Sequence, residues 1–199
     1  MTRLGMVIDL KKCTGCYACS IACKASNNTP PGATWARVLK RETGEDAPGE
    51  RAVLPVLCMH CANPPCVKVC PAGATFKMKD GVVVVDSDKC VGCRYCMMAC
   101  PYGARYFQPT KEYYYDEATP NATAGVKSHP AGVVSKCDLC SERVKGGQEP
   151  ACVEACPTNA RIYGDWHDPE GKLQAAVKDR ESEQLRPELG TDPSVRYLR

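Results

Sequence analysis

The 199-residue chain lacks features that mark several common protein classes. It has no apolar stretch long enough to span a bilayer, and its longest cysteine-free apolar run, residues 82–85, has the length of a strand. Residues 1–10 are too short before the first cysteine to form a signal peptide, and they contain no twin-arginine pair. We therefore expect folding in a reducing compartment, no direct membrane insertion, and any membrane link to come through a partner.

The sequence also lacks the motifs of several enzyme classes. It contains no G-x-G-x-x-G, P-loop, H-E-x-x-H or G-x-S-x-G pattern. No concentrated tract of Lys and Arg indicates binding to nucleic acid. The expected protein is therefore not an enzyme by itself and has no nucleic-acid partner.

Cysteine, in contrast, is abundant. The chain has 16 cysteines, and all of them fall into four groups of four with none left over. This internal repeat dominates the organisation of the sequence. In chain order the groups are Cys13, Cys16, Cys19 and Cys23; Cys58, Cys61, Cys66 and Cys70; Cys90, Cys93, Cys96 and Cys100; and Cys137, Cys140, Cys152 and Cys156.

The spacing within the groups is typical of [4Fe-4S] ligands. The third group matches the C-x2-C-x2-C-x3-C-P run of bacterial ferredoxins, including Pro101. The first group has the same cysteine spacing but carries Lys24 in place of the proline. The other two groups insert residues before the third cysteine, where a loop can bulge without moving the other ligands. We predict four [4Fe-4S] clusters, one for each group.

The main alternative is structural zinc, because four-cysteine zinc sites also use C-x2-C pairs. Zinc usually takes two separated pairs, which explains poorly three cysteines at successive two-residue spacings followed by a fourth and a proline. Colour and iron analysis would separate the two. With four oxidised clusters of about −2 each, the formal net charge of +3 becomes about −5, so most basic side chains are expected to balance clusters.

The distances between groups predict a nested arrangement. Only 19 residues separate the second and third groups, whereas 34 and 36 residues lie in the outer two gaps. We predict an inner ferredoxin-like module, residues 58–107, and an outer module from residues 1–57 and 108–164, followed by a C-terminal helix and arm, residues 165–199. In bacterial ferredoxins the fourth cysteine of each run ligates the other cluster of the pair. This crossover rule predicts the sets Cys13/Cys16/Cys19/Cys156, Cys137/Cys140/Cys152/Cys23, Cys58/Cys61/Cys66/Cys100 and Cys90/Cys93/Cys96/Cys70.

The expected fold class is α+β, with short strands and helices around the clusters. Asp80-Gly81 favours a hairpin with a type I′ turn between strands at 75–79 and 82–86. Residues 172–184 favour a helix, and residues 185–199 an extended arm that packs on the body or on a partner. Further strands are expected at 6–8, 53–56, 105–107, 133–134 and 161–163, and short helices at 17–25, 65–69, 94–99 and 139–145.

A few other residues bear on the sites. Gly15 and Gly92 allow backbone donors to approach the sulfurs. His60 is an alternative ligand or proton carrier in principle, but the full set of cysteines favours a hydrogen-bonding role beside a site. Residues 110–130, with three consecutive tyrosines, form either a partner surface or a hairpin that packs on its own domain.

The chain resembles the four-cluster ferredoxin-like electron-transfer (beta) subunits of the dimethyl sulfoxide reductase superfamily, of the polysulfide, thiosulfate, arsenate and tetrathionate reductase type. The resemblance spans nearly the whole chain. It rests on residues 6–10 before the first group, on Cys61-Ala62-Asn63-Pro64-Pro65-Cys66, on Cys100-Pro101-Tyr102-Gly103-Ala104-Arg105-Tyr106, on Lys136-Cys137-Asp138-Leu139-Cys140, and on residues 185–191.

The resemblance implies partners and a role in anaerobic respiration. It implies a large catalytic subunit with a molybdenum or tungsten bis-pterin cofactor, which the outer module faces, and a quinone-reactive membrane subunit or soluble carrier at the inner module. It implies a peripheral location through these partners, either cytoplasmic or, as we favour, on the periplasmic face by co-export with the catalytic subunit. A free polyferredoxin serving several enzymes is the alternative, and the extended arm favours a fixed partner.

Overall fold

The computed structural model describes residues 2–42, 51–110 and 129–199, and it has the expected α+β character. The prediction for residues 110–130 falls almost entirely outside these ranges. The strands are β1 (Leu4–Asp9), β2 (Arg37–Glu42), β3 (Arg51–Val56), β4 (Thr75–Lys77), β5 (Val83–Val85), β6 (Tyr106–Gln108), β7 (Val133–Ser135), β8 (Arg161–Asp165), β9 (Ser182–Glu183) and β10 (Val195–Leu198). The helices are α1 (Ala18–Asn27), α2 (Pro65–Lys68), α3 (Tyr95–Met98), α4 (Ser141–Lys145), α5 (Ala151–Glu154), α6 (Lys172–Val177) and a 3-10 turn, Pro187–Leu189.

The largest sheet has four strands in the order β8-β1-β10-β9. β1 pairs parallel with β10 and antiparallel with β8. Residues on both faces of β1 are fully buried, which agrees with its nearly continuous apolar sequence. Met6 and Ile8 belong to the core that contains cysteines, whereas Val7 packs with Leu173 of α6 on the opposite face. The sheet therefore separates a metal-ligand side from a helix-covered side.

The C-terminal segment is an integral part of this sheet rather than an extended arm. Residues 195–198 form its inner strand β10, and Tyr197 donates a hydrogen bond to the Pro55 carbonyl. The preceding residues bond to the second cysteine loop, where the amides of Ala62 and Asn63 donate to the carbonyls of Asp192 and Thr191. The predicted arm thus packs on the body of the chain.

The C-terminal helix is shorter than predicted. It ends at Val177 instead of continuing to residue 184, and Ser182–Glu183 pair with β10 as a strand. Arg180 forms an ion pair with the buried carboxylate of Asp9 at the end of β1. This pairing and the strand contact outweigh the helix propensity of the Ala- and Lys-containing sequence.

Three two-stranded hairpins complete the described strands: β2-β3, β4-β5 and β6-β7. The predicted hairpin around Asp80-Gly81 is present, but its turn is not type I′. Only Gly81 has a positive φ (84°), and its amide donates to the Met78 carbonyl. A type I′ turn requires positive φ at both central residues, so the loop is the three-residue type with glycine in the left-handed position.

The helices after the cysteine loops lie close to the predicted positions. The chain leaves the first group, which has Lys24 in place of the proline, by a longer helix. Helix α1 continues through Lys24 to Asn27, whereas α2, α3 and α5 each have four residues. Helix α5, which contains the third cysteine of the last group, was not predicted. Among the described residues, no helix has both the length and the apolar character needed to cross a membrane.

Gly5 offers a test of the central sheet. A Cβ there would lie 2.2 Å from the Ser194 carbonyl oxygen and 2.3 Å from Trp166 Nε1, two atoms that are hydrogen-bonded to each other at 2.8 Å. We expect Gly5→Ala to lower the free energy of unfolding by about 1–3 kcal/mol, because β1 must move to make room. The measurement is the midpoint of denaturation under anaerobic conditions.

Gly146→Ala is the matched control. Gly146 ends helix α4 at an ordinary φ of −80°, and its Cβ would approach backbone no closer than 3.3 Å. Equal midpoints for the two variants would contradict the tight packing assigned to β1.

Candidate metal centres

All sixteen cysteines lie in the described residues, and all are free thiols. A cavity that is partly open to solvent is lined by Cys13, Cys16, Cys19 and Cys156. The loop after β1 supplies Cys13 and Cys16, helix α1 supplies Cys19, and the turn between α5 and β8 supplies Cys156. The structure thus brings the last cysteine of the chain to the first group, as the crossover rule predicts.

Two further cavities have the same kind of lining. One is lined by Cys58, Cys61, Cys66 and Cys100. The other is lined by Cys70, Cys90, Cys93 and Cys96. Each cavity combines three cysteines of one group with the fourth cysteine of the other. The similar linings indicate a similar occupant in all three.

The remaining four thiols, those of Cys23, Cys137, Cys140 and Cys152, are all buried. The Asn27 amide joins two of them, since its Nδ2 lies 3.6 Å from Cys23 Sγ and 3.7 Å from Cys140 Sγ. Burial raises the pKa of Cys23 to about 12, with Cys152 and Cys140 adding to the shift. Burial also raises the pKa of Cys137, and Cys23 contributes most among its neighbours. The four thiols therefore lie close enough to repel one another as thiolates.

The four cysteine loops share one backbone feature. The residue before the second cysteine of each group has a positive φ: Gly15 (69°), His60 (43°), Gly92 (68°) and Leu139 (54°). The two glycines adopt this conformation without strain, whereas a histidine and a leucine do so at a cost of the order of 1–3 kcal/mol. A turn of this kind directs successive amides to one side, which favours an anion there. The shared turn in His60 and Leu139 was not predicted, because neither residue type signals it.

Backbone amides approach two of the four fourth cysteines, Cys70 and Cys156. The Thr75 amide donates to Cys70 Sγ at 3.4 Å, and the Ala160 amide donates to Cys156 Sγ at 3.3 Å. Burial raises the pKa of each thiol, but the neighbouring amides outweigh burial and hold both pKa values below the usual value. These donors stabilise thiolates, the form in which cysteine binds iron.

The residues that line the three cavities fit iron-sulfur clusters. Within the described ranges, no three His, Cys, Asp or Glu side chains converge closely enough to hold a single metal ion. At the three cavities the thiols instead surround a shared space, as a multi-iron cluster requires. Burial raises the pKa of Cys61 to about 12, so a positively charged centre is needed to keep such a thiol ionised. Arg161 lines the first cavity and is 3% exposed, yet its Nη2 has no described hydrogen-bond partner.

His60 takes the hydrogen-bonding role that was favoured over ligation. Its side chain is fully buried, and Nδ1 accepts a hydrogen bond from the Val83 amide at 3.1 Å. Burial lowers the pKa of His60, against the opposing influence of Cys58. Burial alone would raise the pKa of Cys58, but His60 and Lys136 reverse this and hold it well below the usual value.

Buried cations link neighbouring groups and give the sites an order. Arg161 lines one cavity with Cys19 and offsets part of the rise in the pKa of Cys152. Lys136 donates to the carbonyls of Cys137 and Val83, and the Val83 amide donates to His60 in the second cysteine loop. Arg105 Nη2 lies 2.9 Å from Cys66 Sγ, and Cys66 packs in one cluster with Cys96. We name the sites by these neighbours: site A (Cys13, Cys16, Cys19, Cys156), site B (Cys23, Cys137, Cys140, Cys152), site C (Cys58, Cys61, Cys66, Cys100) and site D (Cys70, Cys90, Cys93, Cys96). The adjacency runs A–B–C–D. Exposed cysteines occur only at the two ends, as Cys16 in site A and Cys93 in site D.

Comparison with known proteins also indicates an iron-sulfur protein. The family described as 4Fe-4S dicluster domain matches residues 50–116 and 116–166. A Halobacterium salinarum protein that carries the name of a dimethyl sulfoxide reductase iron-sulfur subunit is 44% identical, over 100% of this chain and 79% of its own length. The arsenate respiratory reductase iron-sulfur subunit of a Shewanella species is 40% identical over 99% of this chain and 96% of its own. The menaquinone reductase iron-sulfur cluster-binding subunit of Nitratidesulfovibrio vulgaris is 39% identical, over 98% and 88% respectively.

Double substitutions test which cysteines share a site. We expect Cys23→Ser with Cys137→Ser to remove about four irons, because both thiols belong to site B and a [4Fe-4S] cluster needs four thiolates. Cys23→Ser with Cys13→Ser should remove about eight, because the two thiols belong to sites B and A. Iron analysis of the anaerobically purified variants measures both. The reverse pattern would show that Cys23 ligates within its own group.

Proposed function

The chain belongs to the 4Fe-4S dicluster proteins that form the iron-sulfur subunits of dimethyl sulfoxide reductase-type complexes, and we propose that it relays electrons through four [4Fe-4S] clusters to or from a catalytic partner. The chain is an electron-transfer subunit and not the catalytic one. Each cluster, when bound, takes up and releases one electron. The residues of the chain hold the thiolates, supply hydrogen-bond donors to the sulfurs and keep water from the inner sites.

The observation that carries the proposal is the grouping of the sixteen thiols. Three cavities each have four cysteines in their lining, and the last four cysteines are buried together. This supports four sites with complete cysteine ligation, and no cysteine is left for another task. Two nested modules, with sites A and B in one and sites C and D in the other, are the arrangement that we propose. Their boundaries, residues 1–57 with 108–164 and residues 58–107, stay predictions.

The ends of the proposed relay lie at the surface. Near Cys16 of site A in the sequence, Tyr17 and Ile21 are exposed, and Ile21 is 65% exposed. Near Cys93 of site D in the sequence, Val91 and Met98 are exposed, and Met98 is 86% exposed. Apolar side chains of this size beside a terminal redox site suit docking of a redox partner. Sites B and C, whose cysteines lack this exposure, suit internal steps.

We assign partners to these two ends from the family. The end at site A would face a large catalytic subunit with a molybdenum or tungsten bis-pterin cofactor, and the end at site D a quinone-linked membrane subunit or a soluble carrier. The arsenate reductase relative and the menaquinone reductase relative support a respiratory complex with a quinone connection. The location would be peripheral through these partners, with the periplasmic face favoured.

The predicted extended arm favoured a fixed partner, but the C-terminal segment does not provide such an arm. Its strand β10 is occupied within the sheet and is not available as an arm. The choice between a dedicated subunit and a free polyferredoxin therefore depends on association. A dedicated subunit should co-purify at constant stoichiometry with a subunit of catalytic size.

Iron analysis tests the proposal as a whole. We expect about sixteen irons and sixteen sulfides per chain after anaerobic reconstitution, and a brown protein with broad visible absorption. Zinc in place of iron, or far fewer than sixteen irons, would overturn the four-cluster relay.

The two ends can be tested separately by one substitution each. We expect Ile21→Glu to weaken association with the catalytic subunit, and Met98→Glu to slow reduction or oxidation by the other partner. Each effect should be about tenfold or more, because a charge placed in a docked apolar contact should cost about 1.4 kcal/mol or more. Pull-down and stopped-flow absorbance measure the two effects. Iron content should stay unchanged in both. An effect of both variants on the same partner would contradict the assignment of opposite ends.

A further inference from the structure

We propose that three buried cations, Arg161, Lys136 and Arg105, each lie at one junction of the A–B–C–D series and raise the reduction potentials of both sites that they join. The inference rests on the proposed function, since it concerns clusters bound at the four sites. It assigns one positive side chain to each of the three electron-transfer steps inside the chain.

Arg105 carries the best-defined geometry. It is 4% exposed, its Nη2 lies 2.9 Å from Cys66 Sγ of site C, and its Nη1 donates to Thr75 Oγ1 at 3.1 Å. Cys66 packs in one buried cluster with Cys96 of site D. Burial opposes the charge, but the thiolates of Cys66, Cys58 and Cys96 outweigh it and raise the pKa of Arg105. The guanidinium is therefore held as a cation between sites C and D.

Arg161 has the corresponding place between sites A and B. It lines the cavity of site A, and its Nη1 lies 3.7 Å from the sulfur of Met6. Its pKa is raised because Cys152 of site B and Cys19 of site A outweigh burial. Its Nη2, which is buried without a described partner, remains available to a sulfur of a bound cluster. A buried guanidinium needs an anion beside it, and the cluster sites supply one.

The repeat shows that these two arginines are equivalent. Arg105 is the fifth residue after Cys100, and Arg161 is the fifth residue after Cys156, each in a Cys-Pro-x-x-Ala-Arg sequence. The equivalent residue after Cys70 is Thr75, which accepts the hydrogen bond from Arg105. Each proposed module thus has one such arginine. It follows Cys100 in the inner module and Cys156 in the outer module.

Lys136 fills the junction between the modules, sites B and C. It is 4% exposed, and its ammonium donates to the Val83 carbonyl and, at 2.6 Å, to the Cys137 carbonyl. The amide of Val83 donates in turn to Nδ1 of His60, which lies between Cys58 and Cys61 of site C, so the Lys136 ammonium lies beside the loop of site C as well as beside Cys137. Lys136 opposes the rise in the pKa of Cys137 and helps to lower the pKa of Cys58. One cation therefore acts on a thiol of each site.

The physical effect follows from the charge change on reduction. Reduction adds an electron to an already negative cluster in a buried region, where charges are screened weakly. A fixed cation beside the cluster stabilises the reduced form more than the oxidised form and so raises the potential. A cation shared by two clusters also offsets part of the repulsion between them when both are reduced. The chain thereby limits the penalty for an electron that enters a site next to a reduced neighbour.

Variants that remove one positive charge test the proposal, because each should shift the reduction potentials of two of the four one-electron steps. We expect Arg105→Gln to lower the potentials of sites C and D, Lys136→Gln those of B and C, and Arg161→Gln those of A and B. Each affected step should fall by about 59 mV or more, a tenfold change in the ratio of reduced to oxidised cluster. An EPR-monitored redox titration of the anaerobically purified chain, checked for iron content, measures the steps.

Double variants sharpen the result. Arg105→Gln with Arg161→Gln should move all four steps, whereas Arg105→Gln with Lys136→Gln should move three, with the step of site C moving furthest. Arg105→Lys keeps the charge and should restore the potentials even if it alters stability.

Arg143→Gln is the matched control, because Arg143 pairs with Glu154 at the surface of the outer module and touches no cysteine in the described contacts.

The outcomes separate the two proposals. A wild-type chain with far fewer than sixteen irons would overturn the four-cluster function itself. A chain with sixteen irons whose variants shift no step, shift all steps equally, or shift as much in Arg143→Gln would overturn the role of the three cations alone. If Arg105→Gln loses its clusters, the redox titrations of Arg105→Lys and Lys136→Gln test the role of the cations instead. Unchanged potentials in Lys136→Gln would then contradict the proposal.

Discussion

The structure depends on thiolates held in the interior of the chain, where eight of its sixteen cysteines are buried. Burial opposes the thiolate form, and neighbouring thiols oppose it further, as the raised pKa values of Cys23 and Cys61 show. Backbone amides at Cys70 and Cys156 and buried cations between the sites counter this effect. The remaining charge must come from iron, so that folding and cluster binding are coupled.

The requirement for ionised thiols also explains the local backbone. In every group the chain turns through a left-handed residue before the second cysteine, even where that residue is His60 or Leu139. The turn strains the backbone at His60 and Leu139, and the amide donors that it directs towards the sulfurs compensate for this strain. The side chains of His60 and Leu139 pack in the interior, since both are fully buried, and His60 accepts a hydrogen bond from the Val83 amide.

The C-terminal strand holds the two halves of the chain together. β10 lies beside β1, whose end leads into site A, and the residues just before β10 bond to the loop of site C. Tyr197 adds a buried contact to Pro55, next to the second cysteine group. Sites from the outer and inner groups are thus fixed relative to one another by the last residues of the sequence, which favours a constant distance for electron transfer.

Much of the fold could be predicted because cysteine spacing and proline positions act locally. The strands before each group, the short helices and the early end of α2 and α3 follow from residues within one turn of each other. The C-terminal region was predicted less well. The ion pair of Arg180 with Asp9 and the pairing of β10 with β1 join residues more than 170 positions apart, and no local pattern indicates them.

The sequence by itself determined the number of thiols, their grouping in fours and the family of the chain, since these depend only on which residues stand at which spacing. Three cavities bring together cysteines that the crossover rule combined, and this grouping depends on a general property of tetrahedral ligation. Only the tertiary structure decided where the charges lie. Arg105 and Arg161 share a sequence motif, but their burial, like that of Lys136, arises from packing between distant segments.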